Sequence, residues 1–171
     1  GGATSLHGFE KRQTSATVFR DDDEAAQLWL KHVPQERIGR MDEADNFWAM
    51  GDTGPCGPCS ELYLDRGPAY GDATSPANDT KGDRFIEFWN LVFMQYDRDA
   101  SGKTSPLPRP CIDTGSGLER VMMLQEGKDT LFEAGVLRRL IAAVEDASGM
   151  VYAPGSALAP AFHVVADHLR S

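Results

Sequence analysis

Between residues 113 and 120 the chain reads Asp-Thr-Gly-Ser-Gly-Leu-Glu-Arg, just ahead of a run with helical spacing. That is the composition of a strand-to-helix turn able to hold a ligand. Gly115 and Gly117 let backbone approach a bound molecule closely. A helix start offers unpaired N–H groups and a partial positive charge, to which Arg120 adds a rigid donor fork for phosphate. Asp113, at the end of the strand, can hold an ammonium group. On spacing alone the string serves equally as a tight turn with a surface Asp and Arg, because short glycine motifs recur by chance.

Two other places carry groups with chemical potential. Phe85 to Tyr96 reads Phe-Ile-Glu-Phe-Trp-Asn-Leu-Val-Phe-Met-Gln-Tyr, apolar on both alternating faces, which predicts a central strand covered on both sides. Strict alternation puts Glu87 on one face and Asn90 on the other, beside Phe88 and Val92. A buried asparagine either meets a ligand or is satisfied by neighbouring backbone. Cys56-Gly-Pro-Cys59 has metal or redox spacing. A structural zinc needs about four ligands, whereas the only other cysteine is Cys111, and His163 and His168 are far along the chain. No thioredoxin-like βαβ pattern surrounds the pair, so thiols that build a turn are the preferred reading over a metal or redox module. His7 and His32 read as surface residues.

The elements that must position these groups are legible in outline. Residues 1–14 show no periodicity and read as a poorly ordered lead-in. A strand follows over 15–19, then a helix capped by Asp21 with Glu24 three residues on, with Leu28, Trp29 and Val33 as its apolar side and Pro34 as its stop. The acid run Asp21–Glu24 suits capping and the helix dipole. Residues 46–58 are too rich in Gly and Pro for a helix, and Glu61-Leu-Tyr-Leu-Asp65 alternates as a strand. Residues 66–83 and 97–107 read as loops, with 109–113 pairing back as a short antiparallel strand. Helices are expected from Gly117 (Leu118, Val121, Met122 and Gln125 on one face), from a Thr130–Glu133 capping box to Gly149 (Leu137, Leu140, Ile141, Val144), and over 161–170 (Phe162, Val165, Leu169). The fold class is α+β, an antiparallel sheet flanked by helices.

Composition narrows the function classes. With 171 residues, 41% hydrophobic and 25% charged, the chain has an ordinary globular make-up. Its longest apolar runs fall well short of the ~20 residues that span a bilayer, and no signal sequence is read at its start, so no membrane partner and a cytoplasmic location are expected. The net charge of −9 and the lack of a Lys/Arg stripe argue against a nucleic-acid footprint within the chain. Three cysteines suggest reduced thiols.

Taken together, the strings resemble class II aminoacyl-tRNA synthetases in their alanine-type form. Asp113–Arg120 resembles motif 3. Residues 46–61 (Asn-Phe-Trp-Ala-Met-Gly-Asp-Thr-Gly-Pro-Cys-Gly-Pro-Cys-Ser-Glu) resemble the stretch between motifs 2 and 3, Glu87–Tyr96 the central strand, Pro106-Leu-Pro108 the approach to motif 3, and residues 165–171 the opening of the following helical region. The likeness runs collinearly from about residue 21 to the end; residues 1–14 resemble nothing comparable, and Ser116 stands where the family often has Met.

This resemblance implies residues 15–158 as the later part of a catalytic domain and 159–171 as the start of a tRNA-recognition region. It implies an alanine–tRNA ligase activity, with ATP, alanine and tRNA(Ala) as partners and the tRNA held mainly elsewhere. Mg²⁺ would come with ATP, and zinc would belong only to domains outside this chain. Trp48, Phe88, Trp89, Asn90, Gly117 and Arg120 would serve ATP. Asn90, Asp113 and Gly115 would serve alanine, and Arg120 would be the catalytic cation. Motifs 1 and 2 would lie upstream, so the isolated chain is expected to be inactive. The alternative is a non-catalytic fragment or paralogue that binds small molecules or partners.

Overall fold

The computed structural model describes Phe9 and residues 13–170, and the chain divides into two compact units, 1–116 and 117–171.

The first unit is organised by one six-stranded sheet: β1 (Thr14–Phe19), β2 (Ile38–Met41), β3 (Phe47–Ala49), β4 (Gly54–Asp65), β5 (Phe85–Arg98) and β6 (Thr104–Ser116). The order is β2-β1-β4-β5-β6, with β3 paired to β4. β1 and β2 run parallel and all other pairs antiparallel, as suits an α+β fold. One face is covered by α1 (Asp23–Trp29), whose Ala25 and Ala26 pack on Val18, with Trp29, Ile38 and Phe93 around them. Leu28, expected on that side, is 49% exposed; the small alanines let the helix lie close to the sheet. The cap is Asp22 rather than Asp21: its carboxylate accepts from the Ala25 N–H at 2.9 Å, which frees Asp23 to pair with Arg40 at 2.6 Å.

The glycines and prolines of 54–60 prevent a helix but not a strand. β4 absorbs them with a register shift between Cys56 and Cys59, an irregular stretch that tolerates Pro58 inside a sheet. Gly57 is obligatory there, since a Cβ on it would lie 2.0 Å from the Phe93 carbonyl oxygen. The two cysteines therefore sit in a buried strand and not in a turn, which corrects the reading of them as turn builders.

A second shift, between Leu62 and Tyr63, sets Leu62 opposite Trp89 and Tyr63 opposite Glu87, leaving Phe88 as the extra residue. The bulge moves Glu87 onto the face of Asn90, where strict alternation would separate them. Phe88 is buried, edge-on to Phe9, at a 5.3 Å ring separation. Of the expected lead-in, Phe9, Gln13 and Thr14 are described, and Thr14 already belongs to β1; His7 lies outside the described residues.

The loop from 66 to 84 is tied at its ends. Asp79 accepts from the N–H groups of Arg84 and Phe85, and Arg84 pairs with Asp65 at 2.7 Å. Burial alone would raise the Asp65 pKa, but the Arg84 hydrogen bond and the further bonds and charges around it outweigh burial and hold the carboxyl below its usual range. β6 then runs much longer than the expected 109–113, because residues 104–106 pair with Tyr96–Arg98 and confine the turn to a few residues.

A short helix, α2 (Glu43–Asn46), links β2 to β3 in the first unit, and the second unit holds α3 (Leu118–Gln125), α4 (Gly135–Ser148) and α5 (Ala159–Arg170). The Thr130–Glu133 capping box closes a single 3-10 turn, Leu131–Glu133, and α4 starts only at Gly135. Its core is Leu137, Ile141, Tyr152, Ala159, Phe162 and Ala166, with Leu140 and Val144 against it. Val165 and Leu169 of α5 are exposed; Ala159 and Ala166 make the close contacts instead. In α3 the buried residue is Met123, and Leu118 is exposed. Gly149, at φ 69°, ends α4 as expected.

Candidate active site

Register across the sheet explains how the chemistry-bearing residues meet. Thr17 of β1, Glu61 of β4, Asn90 of β5 and Gly115 of β6 stand opposite one another in a single row. Cys59, Val92 and Asp113 form the next row on the same face. Opposed residues of an antiparallel pair project to the same side, so one sheet face carries Glu61, Asn90 and Asp113 together. Trp48 enters from β3, where it pairs with Gly57.

A cleft of about 210 Å³ on this face is lined by Trp48, Asn90, Val92, Met94, Asp113, Thr114 and Gly115. Of the residues expected at a site, Trp48, Asn90, Asp113 and Gly115 are thus brought together. Phe88 and Trp89 do not line this cleft. Gly115 has no atom within 4 Å of the position its Cβ would take, so its lack of a side chain leaves open space.

The polar groups have defined roles in this geometry. One Asp113 carboxylate oxygen accepts from the Thr114 N–H at 2.8 Å; the other has no partner among the described residues. Asn90 donates from Nδ2 to Glu61 Oε1 at 3.4 Å, and Tyr63 donates its hydroxyl to Glu61 Oε2 at 2.5 Å. Asn90 Oδ1 is buried and has no partner among the described residues. Behind this row Asn46, fully buried, donates to Thr17 Oγ1 and to the Cys59 carbonyl, both at 3.1 Å.

The electrostatics of this floor are acidic. Burial pushes the Cys59 thiol up to about 12, and the charges of Glu61 and Glu87 push the same way. Burial raises the Tyr63 phenol too, reinforced by its hydrogen bond to Glu61. A thiol this hard to ionise is a poor nucleophile and a poor metal ligand at neutral pH. The face as a whole favours a cationic group.

In the second unit Gly117 is the N-cap of α3, and the Arg120 side chain lies beside it at ordinary contact distance. A Cβ on Gly117 would lie 3.4–3.5 Å from the Arg120 side-chain carbons.

Among the described residues no group of three or more His, Cys, Asp or Glu gathers as a metal site. A magnesium ion arriving on nucleotide phosphates is held mainly by the phosphates and water and needs only one or two protein carboxylates; the Glu61 carboxylate is already engaged by Asn90 and Tyr63. The described residues also include no helix long and apolar enough to cross a membrane.

Sequence reasoning missed Glu61 and Tyr63 as site residues. The signal was present in Glu61-Leu-Tyr-Leu-Asp65, whose alternate residues put Glu, Tyr and Asp on one side and leucine on the other. By itself that polar side reads only as strand pattern.

The family model of class II (A) tRNA synthetases matches residues 3–171. An alanine–tRNA ligase of Chlamydia caviae is 52% identical over 167 residues, 98% of this chain and 19% of that protein. That of Chlamydia trachomatis serovar D is 50% identical over the same shares. That of Wolinella succinogenes is 48% identical over 168 residues, again 98% and 19%. The chain therefore spans about a fifth of the length of these curated relatives.

Proposed function

From the premise that the chain belongs to the class II tRNA synthetases, we propose that it forms the later part of the catalytic domain of an alanine–tRNA ligase. On this reading residues 15–158 contribute to that domain and 159–171 open the helical region beyond it. The whole protein acts in the cytoplasm on ATP, alanine and tRNA(Ala), with the tRNA held mainly by parts outside this chain. Mg²⁺ accompanies the nucleotide, and zinc belongs to other domains.

The observation that carries the proposal is the cleft in which Trp48, Asn90, Asp113 and Gly115 meet. Its volume suits a molecule the size of a small amino acid and is below the several hundred Å³ typical of sites for larger ligands. Asp113 offers a carboxylate to an α-ammonium group, Asn90 an amide, and Gly115 the room for a methyl side chain. Trp48 closes the pocket toward the nucleotide. Arg120, with its stem over Gly117, is the cation for ATP phosphate, and Phe88 and Trp89 support the nucleotide side.

The carboxylate of alanine attacks the α-phosphorus of ATP. A carboxylate–phosphorus bond forms, and the bond to the pyrophosphate leaving group breaks. A hydroxyl of the terminal adenosine of tRNA then attacks the carbonyl, and AMP leaves. Such chemistry depends on positioning and on stabilising the charge on phosphate.

In the full-length protein, Asp113→Ala is expected to lower alanine-dependent ATP–pyrophosphate exchange at least about a hundredfold. An unchanged exchange rate would refute the assignment. The isolated 171-residue chain is expected to show little exchange, since the arginine of motif 2 is expected upstream of it.

A further inference from the structure

Resting on the alanine-binding reading above, we propose that Glu61 is a positioning residue for amino-acid selection: it fixes the Asn90 amide so that its oxygen, not its nitrogen, receives the substrate ammonium. A carboxylate can only accept hydrogen bonds, and an asparagine amide has one accepting and one donating end. Contact between Glu61 Oε1 and Asn90 at 3.4 Å therefore requires Nδ2 to face Glu61. The choice is reinforced from the other side, because Tyr63 donates to Glu61 Oε2 and holds that carboxylate in place.

With its nitrogen committed, Asn90 keeps Oδ1 as an acceptor that is buried and has no partner among the described residues. A buried acceptor without a partner is costly, and a ligand that brings a donor removes the cost. Asp113, one step along in the adjoining row, keeps its own second oxygen without a partner among the described residues. The cleft is thus provided with two acceptors for an ammonium group, which has three donors and no acceptor. An amide turned the other way would point N–H groups at that cation and repel it. The Glu61 and Glu87 charges on the same face add to the preference for a cation.

The test is steady-state ATP–pyrophosphate exchange in the full-length protein, with alanine and ATP varied separately. Glu61→Gln keeps size and shape but can donate to Asn90 Oδ1 as well as accept from Nδ2, so the amide is no longer held one way round. The KM for alanine should rise about tenfold or more, with kcat and the KM for ATP within about twofold and the thermal midpoint unchanged. The double variant Glu61→Gln/Asn90→Asp restores an accepting oxygen, because the introduced glutamine satisfies one oxygen of the introduced carboxylate and leaves the other, and should recover most of the alanine KM. Tyr63→Phe, which loosens Glu61 without removing it, should raise the alanine KM about threefold; it serves where Glu61→Gln does not fold. An unchanged alanine KM in Glu61→Gln, or no recovery in the double variant, overturns the positioning role. Parallel losses in kcat and the KM for ATP overturn it too, by assigning Glu61 to the nucleotide side. Absence of alanine-dependent exchange in the unaltered protein would instead refute the reading on which this proposal rests.

Discussion

Asn90 lies directly opposite Gly115 in the β5–β6 ladder, an amide side chain facing a residue that has none. The backbone does not need glycine at 115: its φ is not in the left-handed region, and no atom lies within 4 Å of an added Cβ. What an added methyl group would enter is the cleft. Gly115→Ala is therefore expected to leave the thermal midpoint within about 1 °C while weakening alanine activation about tenfold or more. Exchange kinetics and thermal melting on the same variant check both halves.

Gly57 is the opposite case. Its Cβ position is occupied by the Phe93 carbonyl at 2.0 Å, so a side chain must separate β4 from β5. Gly57→Ala is expected to cost about 3 kcal/mol of stability or more. Denaturant titration is the check, and a cost below about 0.5 kcal/mol would show that the two strands do not approach this closely.

The three thiols should differ in reactivity. Cys111 is exposed, whereas Cys56 and Cys59 are buried. With its pKa pushed up to about 12 by burial and by Glu61 and Glu87, Cys59 stays protonated across the working range of thiol reagents. Iodoacetamide labelling of the native chain at about pH 8, near the ordinary thiol pKa, should modify Cys111 first and leave Cys59 until unfolding, as read by mass spectrometry. A raised folded pKa also fixes the sign of the pH effect. The contribution of Cys59 to stability is complete below the ordinary value of 9.0 and is lost as the pH rises toward 12.

His163 supplies an acid-side dependence of known sign. Its ring stacks on Phe132 at 3.8 Å, its Nε2 meets the Tyr152 hydroxyl at 3.0 Å, and burial holds its pKa below the ordinary 6.5. Above that value the ring is neutral both folded and unfolded. As the pH falls through it the unfolded chain takes the proton first, so stability drops. The loss in thermal midpoint between about pH 7.5 and about pH 5.5 should be smaller in His163→Gln than in the unaltered chain. An equal loss in both would contradict the burial of the ring.

Much of this was legible in the residues, for physical reasons that can be named. The 85–96 strand announced itself by its apolar run, against which Asn90 stood out, but only Phe85, Phe88 and Val92 in it are buried, so it is not covered on both faces as expected. Gly149 marked the end of α4 because a left-handed residue favours glycine. Other features were hidden by registers that local patterns do not encode. The bulge at Phe88 moves Glu87 to the Asn90 face, and alternation alone cannot foresee an extra residue. The Gly and Pro residues of 54–60 carry turn propensity, yet tertiary pairing with β3 and β5 makes them strand. Leu28, Val165 and Leu169 satisfied helical spacing but gave way to alanines, because close packing selects small side chains where a helix lies near its partner. Glu61 went unnoticed because its importance comes from Asn90, 29 residues away.

Asp113 and Asn90 are assigned here as the amino-acid half of an alanyl-adenylate site. Calorimetric titration of a non-hydrolysable alanyl-adenylate mimic into the full-length protein, unaltered and Asp113→Ala, tests that assignment most directly. Tight binding by the unaltered protein and a loss of about a hundredfold or more in the variant is the predicted result. Equal affinity in the two proteins would contradict it.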